Sequence, residues 1–271
     1  MYRSFSPFVV RLKAAITLPP RFSLLTTVVT GSILALRFGL DTADRFGNDI
    51  AGMSAYITAM GVLYSILAAF TIYVVWTRFN DAQDATASEA NDLLDLFRFA
   101  VYLRDQGALE GLRASITEYC QAVCEDEWAA MTSGHPSHSA SAKFERVFEA
   151  VNSVQFDDER DAHAWSEMIR KFEAISDARS KRLELATAKV PALLRGLLYM
   201  ASLALVVGFF MLAIDNDFLA VAVTVATTAV VFLTIEVVED LDDPFGGQWA
   251  LTPEPFVQLP DRLASISEPA A

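Results

Sequence analysis

Four acidic residues near the end of the chain are possible metal ligands. They are Glu239, Asp240, Asp242 and Asp243. Hard cations such as Ca²⁺ bind about six to eight oxygen atoms, which carboxylates can supply. The spacing is not that of an EF-hand loop, so two interpretations stay open. The residues form a cation site, with Ca²⁺ as the candidate ion, or they are a solvated helix end turned by Pro244 and Gly246-Gly247.

Three arginines form a second group with possible function. Arg78 follows one apolar stretch of the chain, and Arg179 and Arg182 precede another. Basic groups at a membrane face concentrate anions locally, so these side chains are predicted to charge the inner mouth of an ion pathway. A vestibule lined by the many Asp and Glu residues of the chain would favour cations instead. The sequence leaves this choice open.

Other reactive side chains give weaker signals. His135 and His138 lie in a polar loop with no third ligand in view, and Cys120 and Cys124 have neither disulfide nor C-x-x-C spacing. The sequence contains no phosphate-binding glycine loop, zinc-protease motif or serine-hydrolase motif. A net charge of −13 leaves no basic surface for nucleic acid. We therefore expect neither an enzyme nor a nucleic-acid-binding protein.

Apolar helices must position these groups. Hydrophobic residues make up 53% of the chain, and four stretches contain no charged residue: 23–36, 50–77, 196–214 and 218–235. A hydrocarbon core of about 30 Å is crossed by roughly 20 helical residues. Each stretch is long enough to cross once, the first by continuing past Arg37 to Leu40. The sequence predicts an all-α membrane protein with four transmembrane helices in two hairpins.

A helical domain is inserted between the two hairpins. The predicted parts are an N-terminal segment 1–21, a first transmembrane hairpin 22–79, a helical domain 80–190, a second hairpin 191–237 and a tail 238–271. Lys and Arg flank one side of the spans, which places both termini and the inserted domain in the cytoplasm. The last helix of the domain is expected to continue almost directly into the third span, with Pro191 in its first turn.

The second span has two faces that are candidates for lining a pore. One is a seam of small and hydroxyl residues at helical spacing: Ser54, Thr58, Gly61, Ser65 and Ala68. The other is the large apolar side next to it: Met60, Leu63, Leu67 and Phe70. A seam also serves close helix packing, and the fourth span has a similar one through Thr224, Thr227 and Thr234. The spans contain no ionisable residue near the midplane, which argues against an ion-driven transporter.

Several motifs in order resemble a family of bacterial and plant membrane proteins known as the bestrophin-like domain. They are Trp76-Thr-Arg-Phe-Asn-Asp-Ala with Glu89-Ala90, Glu127-Trp128-x-x-Met131, Ala178-Arg179-x-x-Arg182-Leu183 before Val190-Pro191, and Leu241-Asp-Asp-Pro-Phe-Gly246 before Thr252-Pro-Glu-Pro-Phe256. The chain is more distantly similar to bestrophins, which are pentameric anion channels with a pore-lining second helix. In bestrophins the acidic run follows Pro-Phe-Gly, whereas here it precedes it.

The resemblance implies an oligomeric ion channel of the bacterial inner membrane, with five subunits favoured and anions as the permeant ions. Four helices in one chain are too few to enclose a wide conduit, so conduction requires a cyclic homo-oligomer in the lipid bilayer. A hydrophobic constriction in the second span is the expected gate. Two alternatives remain: a membrane-anchored sensor or scaffold without conduction, and a cation channel. The aromatic residues Phe245, Trp249 and Phe256 are expected to hold the tail against the helical domain.

Overall fold

The protein is described by a computed structural model that covers residues 31–32, 35, 50–102, 106–133, 135, 137–154, 159–212, 214 and 216–266. Every regular element in these residues is helical, which confirms the predicted all-α class. Three of the helices are long and apolar enough to cross a membrane. The predicted first span, 23–40, lies outside the described residues except for Gly31, Ser32 and Ala35, which are helical. The count of four spans therefore stays a prediction.

The chain divides into two compact units. Residues 1–75 and 190–239 form one, here called the membrane unit, and residues 76–189 and 240–271 form the other, here called the helical unit. Helix α1 (Ile50–Val101) contributes residues to both. Its 52 residues form one helix because no Gly or Pro interrupts the sequence after Gly61. The helix is therefore longer than the roughly 20 residues needed to cross a membrane.

In the membrane unit, α1 packs against α6 (Ala192–Met211), and α7 (Asp217–Leu241) follows after a short loop. The hydroxyl of Tyr56 donates to the carbonyl oxygen of Ala204 over 3.1 Å. A Cβ atom on Gly208 would lie 2.8 Å from the Tyr56 ring, so only glycine permits this close approach of the two helices. The amide of Leu219 donates to the side chain of Asn216, which caps the start of α7.

The described residues of the helical unit form, besides its part of α1, six helices and one π-helical turn. They are α2 (Gln106–Ala122), the π turn (Val123–Glu127), α3 (Trp128–Thr132), α4 (His138–Asn152), α5 (Glu159–Thr187), α8 (Glu254–Val257) and α9 (Leu259–Ser265). Apolar side chains from α1, α2, α4, α5, α8 and α9 share one core, with Leu93, Phe97, Leu112, Ile116 and Met168 fully buried. Helix α4 begins at His138 because Ser137 accepts a hydrogen bond from the Ala140 amide and caps it.

The expectation that the last domain helix continues into the third span is wrong. Helix α5 ends at Thr187, residues 188–191 are not helical, and α6 begins at Ala192. Pro191 has φ −50° and ψ 131°, so it is the N-cap of α6 and lies outside the helix. A proline has no N–H to donate and disfavours helical backbone at the preceding residue, which is why the chain breaks here.

The tail packs into the helical unit. Phe256, Leu259 and Leu263 are fully buried in its core, and the Trp128 indole donates to the carbonyl oxygen of Leu251 over 3.2 Å. Phe245 is also buried and meets the Trp128 ring edge-on. The expectation that aromatic residues hold the tail against the helical domain is confirmed for two of the three, since Trp249 is only partly buried.

Candidate functional site

The membrane unit has an apolar groove between α1 and α6. Its lining residues are Met60, Leu63, Ile66, Leu67, Phe70, Leu197, Met200, Ala201 and Ala204. The groove has a volume of about 590 Å³ and no polar side chain in its lining. Leu63 and Ile66 are 57% and 64% exposed. The structure thus brings the four large candidate pore-lining residues of the second span onto one surface, and adds Ile66, which the sequence analysis did not select.

The small-residue seam of α1 is only partly used for packing. Ala68 is buried and Gly61 is half-buried, with Leu205 of α6 at 3.9 Å from the position of an added Cβ. Ser54, Thr58 and Ser65 are exposed. The Thr58 and Ser65 hydroxyls donate to carbonyl oxygens one turn earlier, at 2.8 Å and 2.7 Å. These hydroxyls therefore have partners in their own helix and need none elsewhere.

The seam of the fourth span faces the interior of the membrane unit for most of its length. Ala220, Thr224 and Val231 are buried, and Thr224 donates to the carbonyl oxygen of Ala220 over 2.8 Å. Thr234 bonds in the same way to Val230. This arrangement is the one that close helix packing produces.

Two of the three candidate mouth arginines belong to a buried ion-pair cluster in the helical unit. Arg182 has no exposed surface. Its guanidinium donates to both carboxylate oxygens of Glu89, at 2.8 Å and 3.1 Å, and to Glu127 at 2.7 Å. The rings of Trp128 and Phe256 lie at 5.9 Å and 5.4 Å from its central carbon. A fork of five N–H donors suits a position between two carboxylates.

Arg179 and Tyr119 complete the cluster. Arg179 donates to the second oxygen of Glu127 and, over 3.1 Å, to the hydroxyl of Ser141. The hydroxyl of Tyr119 donates to Glu89. Both carboxylates are fully buried, so two cations and two anions neutralise each other inside the unit. Arg179 and Arg182 therefore do not present an unpaired charge to water.

The cluster shifts the pKa values of its own members. Burial lowers the pKa of Arg182, but the charges of Glu89 and Glu127 and the hydrogen bonds to Glu89 outweigh that effect and raise it above its usual range. Burial, together with the negative charge of Glu89, raises the pKa of Tyr119. Both groups therefore keep their protons throughout the physiological range.

The π turn ends at Glu127, whose carboxylate belongs to the cluster. The chain from Val123 to Glu127 is π-helical between α2 and α3. Such turns widen a helix by one residue, rotate the residues that follow, and occur often at functional positions. Here Glu125 and Asp126 are exposed while Glu127 faces the interior. The turn thus separates two solvated acids from the buried one.

Glu89 is an acidic residue on the apolar face of α1. Its side chain is fully buried on the same face as Ala85, Leu93 and Leu96. A charged residue at an apolar position of a helix is a sequence signal for a buried, paired charge. Glu127 and Tyr119 carried no such signal, because their partners, Arg182 and Glu89, lie 55 and 30 residues away in sequence.

The candidate calcium site is not assembled. Asp242 pairs with Arg78 at 3.0 Å, Asp243 with Lys189 at 3.3 Å, and Glu239 accepts from Tyr199. Asp240 accepts from the amides of Gln248 and Trp249. In the part of the chain that the structure describes, no three His, Cys, Asp or Glu side chains are grouped to hold a metal ion. The acids are separated because protein donors bind each of them.

Asp240 organises the turn that follows the fourth span. Its carboxylate closes the turn onto two backbone amides, and Gly247 lies so near that an added Cβ would be 2.6 Å from the Asp240 carbonyl oxygen. The acidic run with its Gly-Gly pair therefore forms a hydrogen-bonded turn. Arg78, the third candidate mouth charge, keeps 21% of its side chain exposed beside Asp242.

Comparisons with known proteins agree with the resemblance in the motifs. The family model of the bestrophin-like domain matches residues 22–256. The fold is similar to a solved structure described as a membrane protein, with a TM-score of 0.71 at 13% identity over 90% of this chain and 98% of that one. Two substituted forms of a bacterial bestrophin homologue from Klebsiella pneumoniae give TM-scores of 0.69 and 0.70 at 14% identity.

Those two structures cover 89% of this chain and 95% and 96% of their own. None of the curated proteins matches the chain in sequence. At such low identity the likeness to solved structures shows the fold alone, and the family model, which matches most of the sequence, shows the family. The chain belongs to the bestrophin-like domain family.

Proposed function

We propose that the chain is an oligomeric ion channel in which α1 lines the pore and residues Met60 to Phe70 form a hydrophobic gate. The supporting observation is the exposed apolar face of α1. Leu63, Ile66 and Phe70 are all more than half exposed and lie on the helix that continues unbroken to Val101. Several copies arranged around a symmetry axis would bring this face together, as a conduit requires.

An apolar constriction closes such a conduit without any moving plug. Water leaves a narrow apolar segment spontaneously, and an ion without its hydration shell cannot cross it. Large side chains on successive turns, such as Leu63, Leu67 and Phe70, make the segment both narrow and apolar. The gate opens when the helices move apart far enough to let water in.

Anion selectivity is the finer part of the proposal, and it rests on the similarity to bestrophins. Of the three arginines considered for the mouth, only Arg78 remains a candidate. It follows the apolar segment on α1, and its pair with Asp242 is partly exposed. The acidic composition of the chain makes cation conduction the competing outcome. We also propose that the protein is a pentamer of the bacterial inner membrane with both termini in the cytoplasm.

Planar bilayers separate these possibilities. The purified full-length chain is added to a bilayer with a KCl gradient, and the reversal potential of its current is recorded. Reversal near the chloride equilibrium potential supports the proposal, and reversal near that of potassium means a cation channel. If many fusion events give no current while native mass spectrometry shows a monomer, the chain is a membrane-anchored sensor or scaffold. Protein-free vesicles of the same lipid are the control.

A further inference from the structure

A second groove in the membrane unit differs from the first because hydroxyl groups contribute to its lining. It lies among α1, α6 and α7 and has a volume of about 350 Å³. Its polar residues are Tyr64, Ser65 and Thr227, and the others, which include Leu205 and Phe209, are apolar. Among the described residues, no Lys, Arg, Asp or Glu lines it. Small-molecule sites have this composition, with an apolar lining and a few polar groups that fix orientation.

One lining residue, Tyr64, has a hydroxyl for which the described residues supply no acceptor. Hydroxyls elsewhere in these helices, such as those of Thr58 and Thr224, donate to a carbonyl oxygen one turn earlier. Tyr64 is 6% exposed, and its buried hydroxyl has no partner in the part of the chain that the structure describes. The hydroxyl of Thr228, which is next to the lining residue Thr227 on α7, is likewise buried without a partner among these residues. Buried polar groups normally have partners, and a bilayer core offers no water to replace them.

The position of the groove restricts what binds there. Tyr64 lies in the middle of the uncharged run 50–77, about 21 Å of helix before Arg78. The ester and headgroup oxygens of phospholipids lie at the membrane surfaces, so they do not reach this depth. An ion would lose its hydration in a groove without a charged partner, which is strongly unfavourable. The remaining class is an uncharged molecule dissolved in the membrane.

We propose that this groove binds an uncharged, lipid-soluble small molecule that carries a hydrogen-bond-accepting oxygen, such as a ketone or quinone-type carbonyl. The apolar wall accommodates the body of the molecule, and Tyr64 and Thr227 supply the donors for its oxygen. A volume of 350 Å³ lies within the range of about 300–1,000 Å³ found for ligand pockets. The site does not depend on whether the chain conducts ions.

Benzophenone tests the site directly, since it is an uncharged aromatic ketone that attaches to neighbouring C–H bonds under ultraviolet light. The full-length chain in liposomes is irradiated at increasing benzophenone concentrations, and its adducts are located by mass spectrometry. We expect saturable labelling of peptides that contain residues 57–65 and 226–231. Tyr64→Phe and Thr227→Val should each raise the half-saturating concentration by about three- to tenfold, the effect of one neutral hydrogen bond.

Matched variants distinguish a lost donor from a general disturbance. Tyr56→Phe and Thr224→Val remove hydroxyls that already donate to Ala204 and Ala220, so they should leave half-saturation unchanged. Thermal unfolding of all four variants checks that each is folded. Labelling that does not saturate, or that is the same in folded Tyr64→Phe and Thr227→Val as in the parent, overturns the proposal.

Discussion

The guanidinium of Arg182 donates to the carboxylate of Glu127 over 2.7 Å, and neither side chain has any exposed surface. The bond links α5 to the end of the π turn across 55 residues of sequence. Taking two charges out of water is costly, and only close pairing with further hydrogen bonds offsets that cost. Glu89, Arg179 and Tyr119 supply those additional bonds. The cluster therefore fixes how the helices of this unit pack.

Removing the cation of this cluster should be severely destabilising. Arg182→Leu leaves Glu89 and Glu127 buried without their main partner, and we expect a loss of about 3–5 kcal/mol in the free energy of unfolding. Thermal unfolding of the detergent-solubilised chain by circular dichroism measures it. Arg170→Leu is the control, because its pair with Glu167 is exposed and its loss should cost about 0.5 kcal/mol or less. If Arg182→Leu and Arg170→Leu are equally stable, the cluster does not hold the helices of this unit together.

The buried side chains of the tail provide a second test of packing. Phe256 has no exposed surface in the core of the helical unit, whereas the neighbouring Val257 is 54% exposed. Phe256→Ala should cost about 3–5 kcal/mol, and Val257→Ala should cost little. Deletion of all residues after Asp243 should destabilise the chain at least as much as Phe256→Ala. A deletion variant with the unfolding temperature of the parent would mean that the tail is only a linker.

The acidic run should not respond to calcium. Each of its carboxylates has a protein donor, so binding an ion would require breaking the pairs with Arg78 and Lys189. We expect the unfolding temperature to be the same in excess EDTA and in millimolar CaCl₂. Gly247→Ala should instead lower it, because the added Cβ would lie 2.6 Å from the carbonyl oxygen of Asp240. If calcium raises the unfolding temperature of the parent and does not raise that of Asp240→Asn, the acidic run is a cation site.

The proposed orientation can be tested by cysteine labelling in spheroplasts. Asp217 and Ser139 are exposed at the start of α7 and in α4, respectively, and suit substitution by cysteine. Ser137 is unsuitable because it is buried as the cap of α4. A membrane-impermeant maleimide should label Asp217→Cys in intact spheroplasts and Ser139→Cys only after permeabilisation. The parent, with Cys120 buried and Cys124 partly buried, gives the background. The opposite pattern would reverse the orientation.

The sequence predicted what depends on local pattern. The uncharged run 50–77 is longer than a membrane crossing requires and indicated a long second helix, and α1 extends from Ile50 to Val101. Aromatic residues among prolines and glycines indicated a docked tail, and Phe256 is buried. Both results follow from composition within a few helical turns, which a single sequence contains.

Features that depend on distant pairing were not predictable in the same way. Arg182 follows a solvated stretch of α5, and nothing near it in sequence shows that Glu89 and Glu127 neutralise it. The π turn also has no local signature, since Val123 to Glu127 matches an ordinary amphipathic helix. The sequence left both a cation site and a solvated helix end open for the acidic run, because its partners, Arg78 and Lys189, lie 164 and 53 residues away from Asp242. In each of these cases, contacts between residues far apart in sequence determine the structure.

The gate proposal makes a specific prediction for truncations on α1. Met60→Ala, Leu63→Ala and Leu67→Ala each widen the proposed constriction and make it easier to wet, so open probability or leak should rise. Leu203→Ala is the matched control, because Leu203 is an equally exposed leucine on α6 at 59% against 57% for Leu63. Single-channel recording in planar bilayers measures the effect. If open probability or leak rises for Leu203→Ala alone, α6 lines the pore and α1 does not.

Access to position 63 during conduction tests the central claim, that α1 lines an ion pathway, most directly. Leu63→Cys and Leu203→Cys are recorded in planar bilayers while a charged, water-soluble thiol reagent is added, with the parent as a control for Cys120 and Cys124. A pore-lining α1 predicts that the reagent reduces the current of Leu63→Cys and leaves the Leu203→Cys and parent currents unchanged. Current through Leu63→Cys that the reagent does not change, together with block of Leu203→Cys, would contradict it.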